Sequence, residues 1–171
     1  MFDIVIKGGQ VIDGTGQAAF TADVGIESDT LKILRGDTSS ISAGRTIDAS
    51  GYVVCPGFID MHSHSDLALL SNPRHEAKVS QGVTTEALGM DGLSYAPLSP
   101  AKLEQLIEYL KAVNGYPPGD VRWSSVKEFL SLFDNRVTCN VAYFVPHAAL
   151  RIEAMGWEAR LSTPDELKRM Q

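Results

Sequence analysis

The sequence predicts an α/β protein in two parts. A small N-terminal β-sandwich segment occupies residues 1–55, and an α/β segment with a parallel sheet occupies 56–171. Three observations carry this. The first 55 residues hold short apolar stretches broken at close intervals by Gly, Asp and Ser turns, the pattern of a small sandwich. After Pro56, β-type apolar runs alternate with helical patterns, which implies parallel strands joined by crossover helices. The residues able to do chemistry sit just past those later strands, where parallel α/β folds bind ligands.

Each element has a local reason. Residues 3–12 read as two short strands around Gly8-Gly9. Ala22–Glu27 and Leu31–Leu34 alternate as half-buried strands do, and Thr46–Asp48 and Tyr52–Cys55 add two more around Ala49-Ser50-Gly51. No chemistry is visible in these first residues. Phe58–Met61 is a buried-type strand opened by Pro56-Gly57. Pro73–Gln81 looks helical, with Asn72 as N-cap, Pro73 at the first position and Gly82 as the stop. Val83–Leu88 is a strand. Ser99-Pro100 starts a helix with Leu103, Leu106, Ile107 and Leu110 at helical spacing. Ser125–Phe133 is a third helix, Val137–Val145 a long strand, and Ala148–Met155 a short helical turn. Thr163-Pro164-Asp165-Glu166 opens a last helix with a capping residue, Pro and early acids.

Composition bounds the function. The chain of 171 residues is 44% hydrophobic and 21% charged, enough for a real core. A net charge of −6 leaves no basic surplus to neutralise phosphates, which argues against nucleic acid or an anionic membrane as partner. The N-terminus lacks the basic start and apolar run of a signal peptide, so a reducing cytoplasm is the default location. Cys55 and Cys139 sit in apolar surroundings far apart in sequence, and both read as buried free thiols.

The chemistry centres on Pro56-Gly57-Phe58-Ile59-Asp60-Met61-His62-Ser63-His64-Ser65-Asp66. If the strand runs from Phe58 to His64, His62 and His64 project from the same face and can offer nitrogens to one metal ion. The bland alternative is two polar residues where a strand frays. Asp91 follows the second strand and His147 the third, so three separate segments deliver polar groups to one rim. Asp91 is either a ligand or a loop acid making an Asx-turn before Gly92. Glu86 is a rival ligand if it has the inward parity. His75 reads as a solvated helix residue, and Asp66 as a loop acid or a partner orienting a metal-bound histidine.

These segments carry a resemblance. Ile6-Lys7-Gly8-Gly9-Gln10-Val11-Ile12-Asp13-Gly14-Thr15-Gly16 and the His62-Ser63-His64 segment resemble metal-dependent amidohydrolases. Val79–Thr85, Gly89–Pro97 and His147-Ala148-Ala149-Leu150-Arg151 resemble the N-acyl-D-amino-acid deacylase branch, the D-aminoacylases. The resemblance implies a small β-sandwich beside a TIM (β/α)8 barrel, with one or two zinc ions in the barrel mouth. It implies hydrolysis of the amide of an N-acyl-D-amino acid, with zinc polarising the carbonyl and lowering the pKa of water toward ~7. His62 and His64 fall on its zinc ligands. Asp91 falls where the better-known deacylases have a cysteine ligand, a harder donor replacing a thiolate. His147 and Arg151 fall on a His-x-x-x-Arg segment and read as substrate-binding, with Arg151 a carboxylate contact.

A barrel of this type takes about 250 residues. The residues after position 55 hold three of its eight strands. The catalytic aspartate is expected beyond residue 171, so the sandwich and barrel are both incomplete here. The expectation is an N-terminal fragment, inactive alone. Two other readings compete: a cyclic-amide hydrolase of the dihydropyrimidinase or dihydroorotase kind, and a non-catalytic metal-binding remnant.

Overall fold

The computed structural model describes all of residues 1–171. They divide into two units, Met1–Pro56 and Gly57–Gln171.

In the first unit the expected pair of strands around Gly8-Gly9 is one strand, β1 (Phe2–Val11). The two glycines form a bulge in it, with Gly8 at φ 71°. β1 has partners on both sides, so the extra residue is absorbed as a bulge instead of reversing the chain. β2 (Phe20–Glu27) pairs with it antiparallel, and β3 (Thr30–Leu34) pairs antiparallel with β2. On the other side β4 (Ala43–Asp48) and then β5 (Val53–Val54) run parallel to β1. The unit is therefore one mixed sheet of five strands, whose core gathers Val11, Ala22 and Val24. Cys55 is exposed, against the expectation of a buried thiol; Cys139, in the second unit, is buried.

The second unit carries a parallel sheet in the order β6-β7-β8. β6 is short, Phe58–Asp60. It stops there because the Asp60 carboxylate accepts the His62 backbone N–H at 3.1 Å, a local turn that competes with the strand ladder. The histidines thus lie beyond the strand and not on it as expected. β7 spans Val83–Leu88 as read from the sequence. β8 is Asn140–Tyr143, shorter than expected. Thr138 leaves the ladder to give its N–H to the Pro73 carbonyl and its hydroxyl to the Arg74 carbonyl.

Between β6 and β7 lie two short helices, α1 (Ala68–Ser71) and α2 (Glu76–Val79). The expected helix over 73–81 begins three residues late, because His75 takes a left-handed φ of 43° and turns its ring onto Glu86. α3 (Pro100–Asn114) buries Leu103, Leu106 and Leu110, the positions its spacing marks as one face. α4 (Val126–Ser131) starts at a capping box in which Ser125 and Glu128 satisfy each other's backbone N–H. α5 (His147–Met155) follows β8, and α6 (Pro164–Met170) starts at the Thr163–Glu166 capping box. Phe129 is fully buried, with the rings of Trp123, Phe133 and Tyr143 5.0–5.3 Å away, centroid to centroid.

Candidate metal centre

The loop after β6 keeps the alternation of a strand without its ladder. Ser63 and Ser65 are buried at 4% and 8% exposure, while the side chains of His62 and His64 are 60% and 28% exposed. The two imidazoles therefore face the same way. Asp91 reaches them from the end of β7. The Phe144 N–H bonds to the Leu88 carbonyl at 2.9 Å, which draws the ends of β7 and β8 together. Gly89, at φ 80°, follows at once, and a Cβ there would overlap the Phe144 carbonyl oxygen. The chain then makes a single 3-10 turn, Met90–Gly92, with Asp91 itself at φ 55°. An Asp tolerates this left-handed conformation better than a β-branched residue does.

The outcome is a three-residue cluster. Asp91 Oδ2 lies 3.2 Å from His62 Nε2 and 3.2 Å from His64 Nε2. Ligand atoms of the three residues all lie within 4.8 Å of one another. A tetrahedral shell with bonds of about 2.0–2.1 Å places its ligand atoms roughly 3.3 Å apart. The two His–Asp separations match that spacing, and two nitrogens with one oxygen are donors that suit a borderline divalent cation, with room for further ligands on the exposed side. The inner ring atom, His64 Nδ1, is buried and has no partner in the protein.

Other residues singled out in the sequence fall elsewhere. Asp66, expected as a loop acid, is fully buried; the Ser94 hydroxyl donates to its Oδ1, and burial pushes its pKa up to about 6. Glu86 does not join the cluster. It is fully buried, and its carboxylate oxygens accept from His75, Lys78 and the Ser63 hydroxyl. Burial works to raise the Glu86 pKa, but hydrogen bonds from His75 and from the Ser63–Ser65 hydroxyl pair, together with the charges of His75 and Lys78, outweigh it, holding the carboxyl below its ordinary value. His75, read as solvated, is 12% exposed and bonded to Glu86 at 3.0 Å. Its left-handed backbone, which the sequence does not announce, is what turns it inward. His147 opens α5 beside the Asp91 turn, where a Cβ on Gly92 would meet His147 Cβ at 3.5 Å. Arg151 gives its guanidinium to the carbonyls of Glu158 and Arg160 at 2.7 and 2.9 Å. Asp60, Lys78, Glu86 and Ser63 form a connected polar group that residue order alone does not mark as a unit. Its signal was an acid in the apolar strand Val83–Leu88, since a buried carboxylate needs partners.

The chain is similar to known proteins. The sequence profile of the amidohydrolase family matches residues 45–171. The chain is 36% identical to a D-aminoacylase of Alcaligenes xylosoxydans xylosoxydans over 175 residues, covering 99% of this chain and 34% of that protein. It is 39% identical to an N-acyl-D-glutamate deacylase of the same organism, covering 99% of this chain and 33% of that one. Among solved structures, it superposes with a TM-score of 0.80 and 34% identity on N-acyl-D-glutamate deacylase from Bordetella bronchiseptica, solved with zinc and a phosphonate inhibitor. That match covers 99% of this chain and 34% of that one. The chain therefore spans about a third of the length of the curated relatives it matches. The profile match takes in β6, β7 and β8 together with both histidines and Asp91, and on it the chain belongs to the amidohydrolase family.

Proposed function

We propose that these residues form part of a zinc-dependent N-acyl-D-amino-acid deacylase, a hydrolase of linear amide C–N bonds. The observation that carries this is the convergence of His62, His64 and Asp91 at the ends of β6 and β7. It occurs in a chain 36–39% identical to two such deacylases over 99% of its length.

His62 and His64 would hold zinc through Nε2, each with its proton on Nδ1, and Asp91 would hold it through a carboxylate oxygen. When bound, zinc supplies a Lewis acid that polarises an amide carbonyl and acidifies water. One ion or two are both compatible with these donors. His147 stands at the rim beside the Asp91 turn and is assigned to substrate contact. Arg151 is read differently from the carboxylate contact its pattern suggested: its donors clamp the 158–160 loop onto α5. No residue among 1–171 is assigned the role of passing a proton to the leaving amine.

We read β6, β7 and β8 as three strands of a (β/α)8 barrel. Three parallel strands with intervening helices support this, as do the exposed apolar side chains of Ile59, Met61, Phe144 and Val145, which further strands would cover. The five-stranded sheet of Met1–Pro56 is read as one layer of a sandwich. No helix of the chain is long and apolar enough to cross a membrane. Two unpaired cysteines fit a reducing compartment, and the cytoplasm is assigned.

The test is a chimera in which residues 1–171 replace the matching segment of the Alcaligenes D-aminoacylase, loaded with zinc. Release of free D-amino acid from N-acetyl-D-amino acids is expected, and it should vanish in the His62→Ala/His64→Ala variant. Ring opening of hydantoins or dihydroorotate without deacylation would assign a cyclic-amide hydrolase instead. A folded, zinc-bound chimera inactive on both would leave a metal-binding module.

A further inference from the structure

We propose that Glu86 is a positioning residue of the metal centre: acting through Ser63, it holds the His-x-His loop so that His62 and His64 face Asp91. The proposal rests on the metal-centre reading above.

Two acids flank one lysine. Lys78 Nζ pairs with Asp60 Oδ2 and lies 3.3 Å from Glu86 Oε1. Each acid keeps its other oxygen for the loop. Asp60 Oδ1 accepts the His62 backbone N–H at 3.1 Å, and Glu86 Oε2 accepts the Ser63 hydroxyl at 3.2 Å. The loop is thus gripped at two consecutive residues. The hold extends one step further, because Ser63 Oγ accepts the Ser65 N–H at 3.2 Å and lies 2.7 Å from Ser65 Oγ.

This grip explains the alternation. Residues 62–65 have no ladder partner, and a free loop has no reason to keep a period of two. The Glu86 carboxylate holds Ser63 inward and Ser63 in turn holds Ser65, which leaves His62 and His64 on the more exposed side. Glu86 stands on β7 and Asp91 follows five residues later, in the turn after that strand, so one stretch of chain supplies both the third candidate ligand and the anchor for the other two.

A plain buried ion pair would not use the carboxylate this way. Oε1 alone takes both His75 and Lys78. Oε2 is left for Ser63, and pairing with the cation does not require that bond. The charge network satisfies the buried acid, and the second oxygen does the positioning.

The test uses the full chain. In the metal-free state, amide hydrogen exchange at Ser65 is followed by NMR in the parent, in Glu86→Gln and in Glu86→Asp. The aspartate keeps the charge but loses the reach to Ser63, and it serves if the glutamine variant does not fold. Exchange at Ser65 should quicken about tenfold or more while amides of α3, such as Leu106 and Leu110, stay as in the parent. Zinc affinity is then titrated by competition with a chelator. Ser63→Ala and the Glu86 variants should each weaken zinc about 10–100-fold. The double variant should be no weaker than the poorer single one, since both cut the same link. Ser63→Thr, which keeps the hydroxyl, should restore parent affinity. Unchanged Ser65 exchange in both Glu86 variants would overturn the proposal, as would zinc losses that multiply in the double variant. A parent that binds no zinc, with Ser65 still released in the Glu86 variants, would sink the metal reading and uphold the grip on the loop.

Discussion

His64 Nε2 and Asp91 Oδ2 meet at 3.2 Å across 27 residues of chain. Neither lies on a strand. His64 arrives from a loop that follows a three-residue strand, and Asp91 from a left-handed turn after a glycine. Their meeting depends on the register that sets Asp60 beside Glu86 in the parallel pair β6–β7. The functional consequences follow from that pairing.

The first concerns the ligand set. After dialysis, the purified chain is expected to retain zinc and the His62→Ala/His64→Ala variant to lose it, read by elemental analysis. Asp91→Cys replaces a hard oxygen with a thiolate. Cadmium should then compete better against zinc than in the parent, with a thiolate-to-cadmium charge-transfer band. An absence of that band would show that position 91 does not reach the ion.

Gly89 offers a test of the turn. Gly89→Ala meets a positive φ and the Phe144 carbonyl together. The forced backbone alone costs about 1–3 kcal/mol, and relief of the overlap must part β7 from β8. The urea midpoint should fall, and zinc binding should fall with it because Asp91 is two residues on. A variant as stable as the parent would mean that the ends of β7 and β8 stand further apart than described.

Acid should reveal Glu86. Its folded pKa lies below the ordinary 4.5. A lowered carboxyl contributes stability that is present above 4.5 and is lost as the pH falls through the folded value. The stability gap between the parent and Glu86→Gln should therefore be largest near neutral pH and shrink below pH 4.5. Urea melts across that range check it; a gap independent of pH would refute it.

The core of the second unit predicts a large loss at one site. Phe129 has no exposed surface and touches three aromatic rings. Phe129→Ala should cost about 3–5 kcal/mol, from lost burial and the cavity left behind. Chemical denaturation measures this, and a loss under about 1 kcal/mol would contradict the packing.

Much of this protein was written locally. Alternation marked Ala22–Glu27, a β-branched apolar run marked Val83–Leu88, helical spacing marked the buried face of α3, and Ser125 and Thr163 announced the starts of α4 and α6. These signals are readable because they depend on neighbours one to four residues away. His62 and His64 were likewise visible from spacing and residue type. The tertiary structure decided what depends on distant partners. Gly8-Gly9 became a bulge because β1 has neighbours on both sides. β8 shortened because Thr138 found Pro73 and Arg74. His75 turned inward, and Glu86 became an anchor and not a ligand, because helix α2 lies over β7. A carboxylate's role is set by which cations and hydroxyls the fold brings within about 3 Å of it, and linear order does not encode that distance.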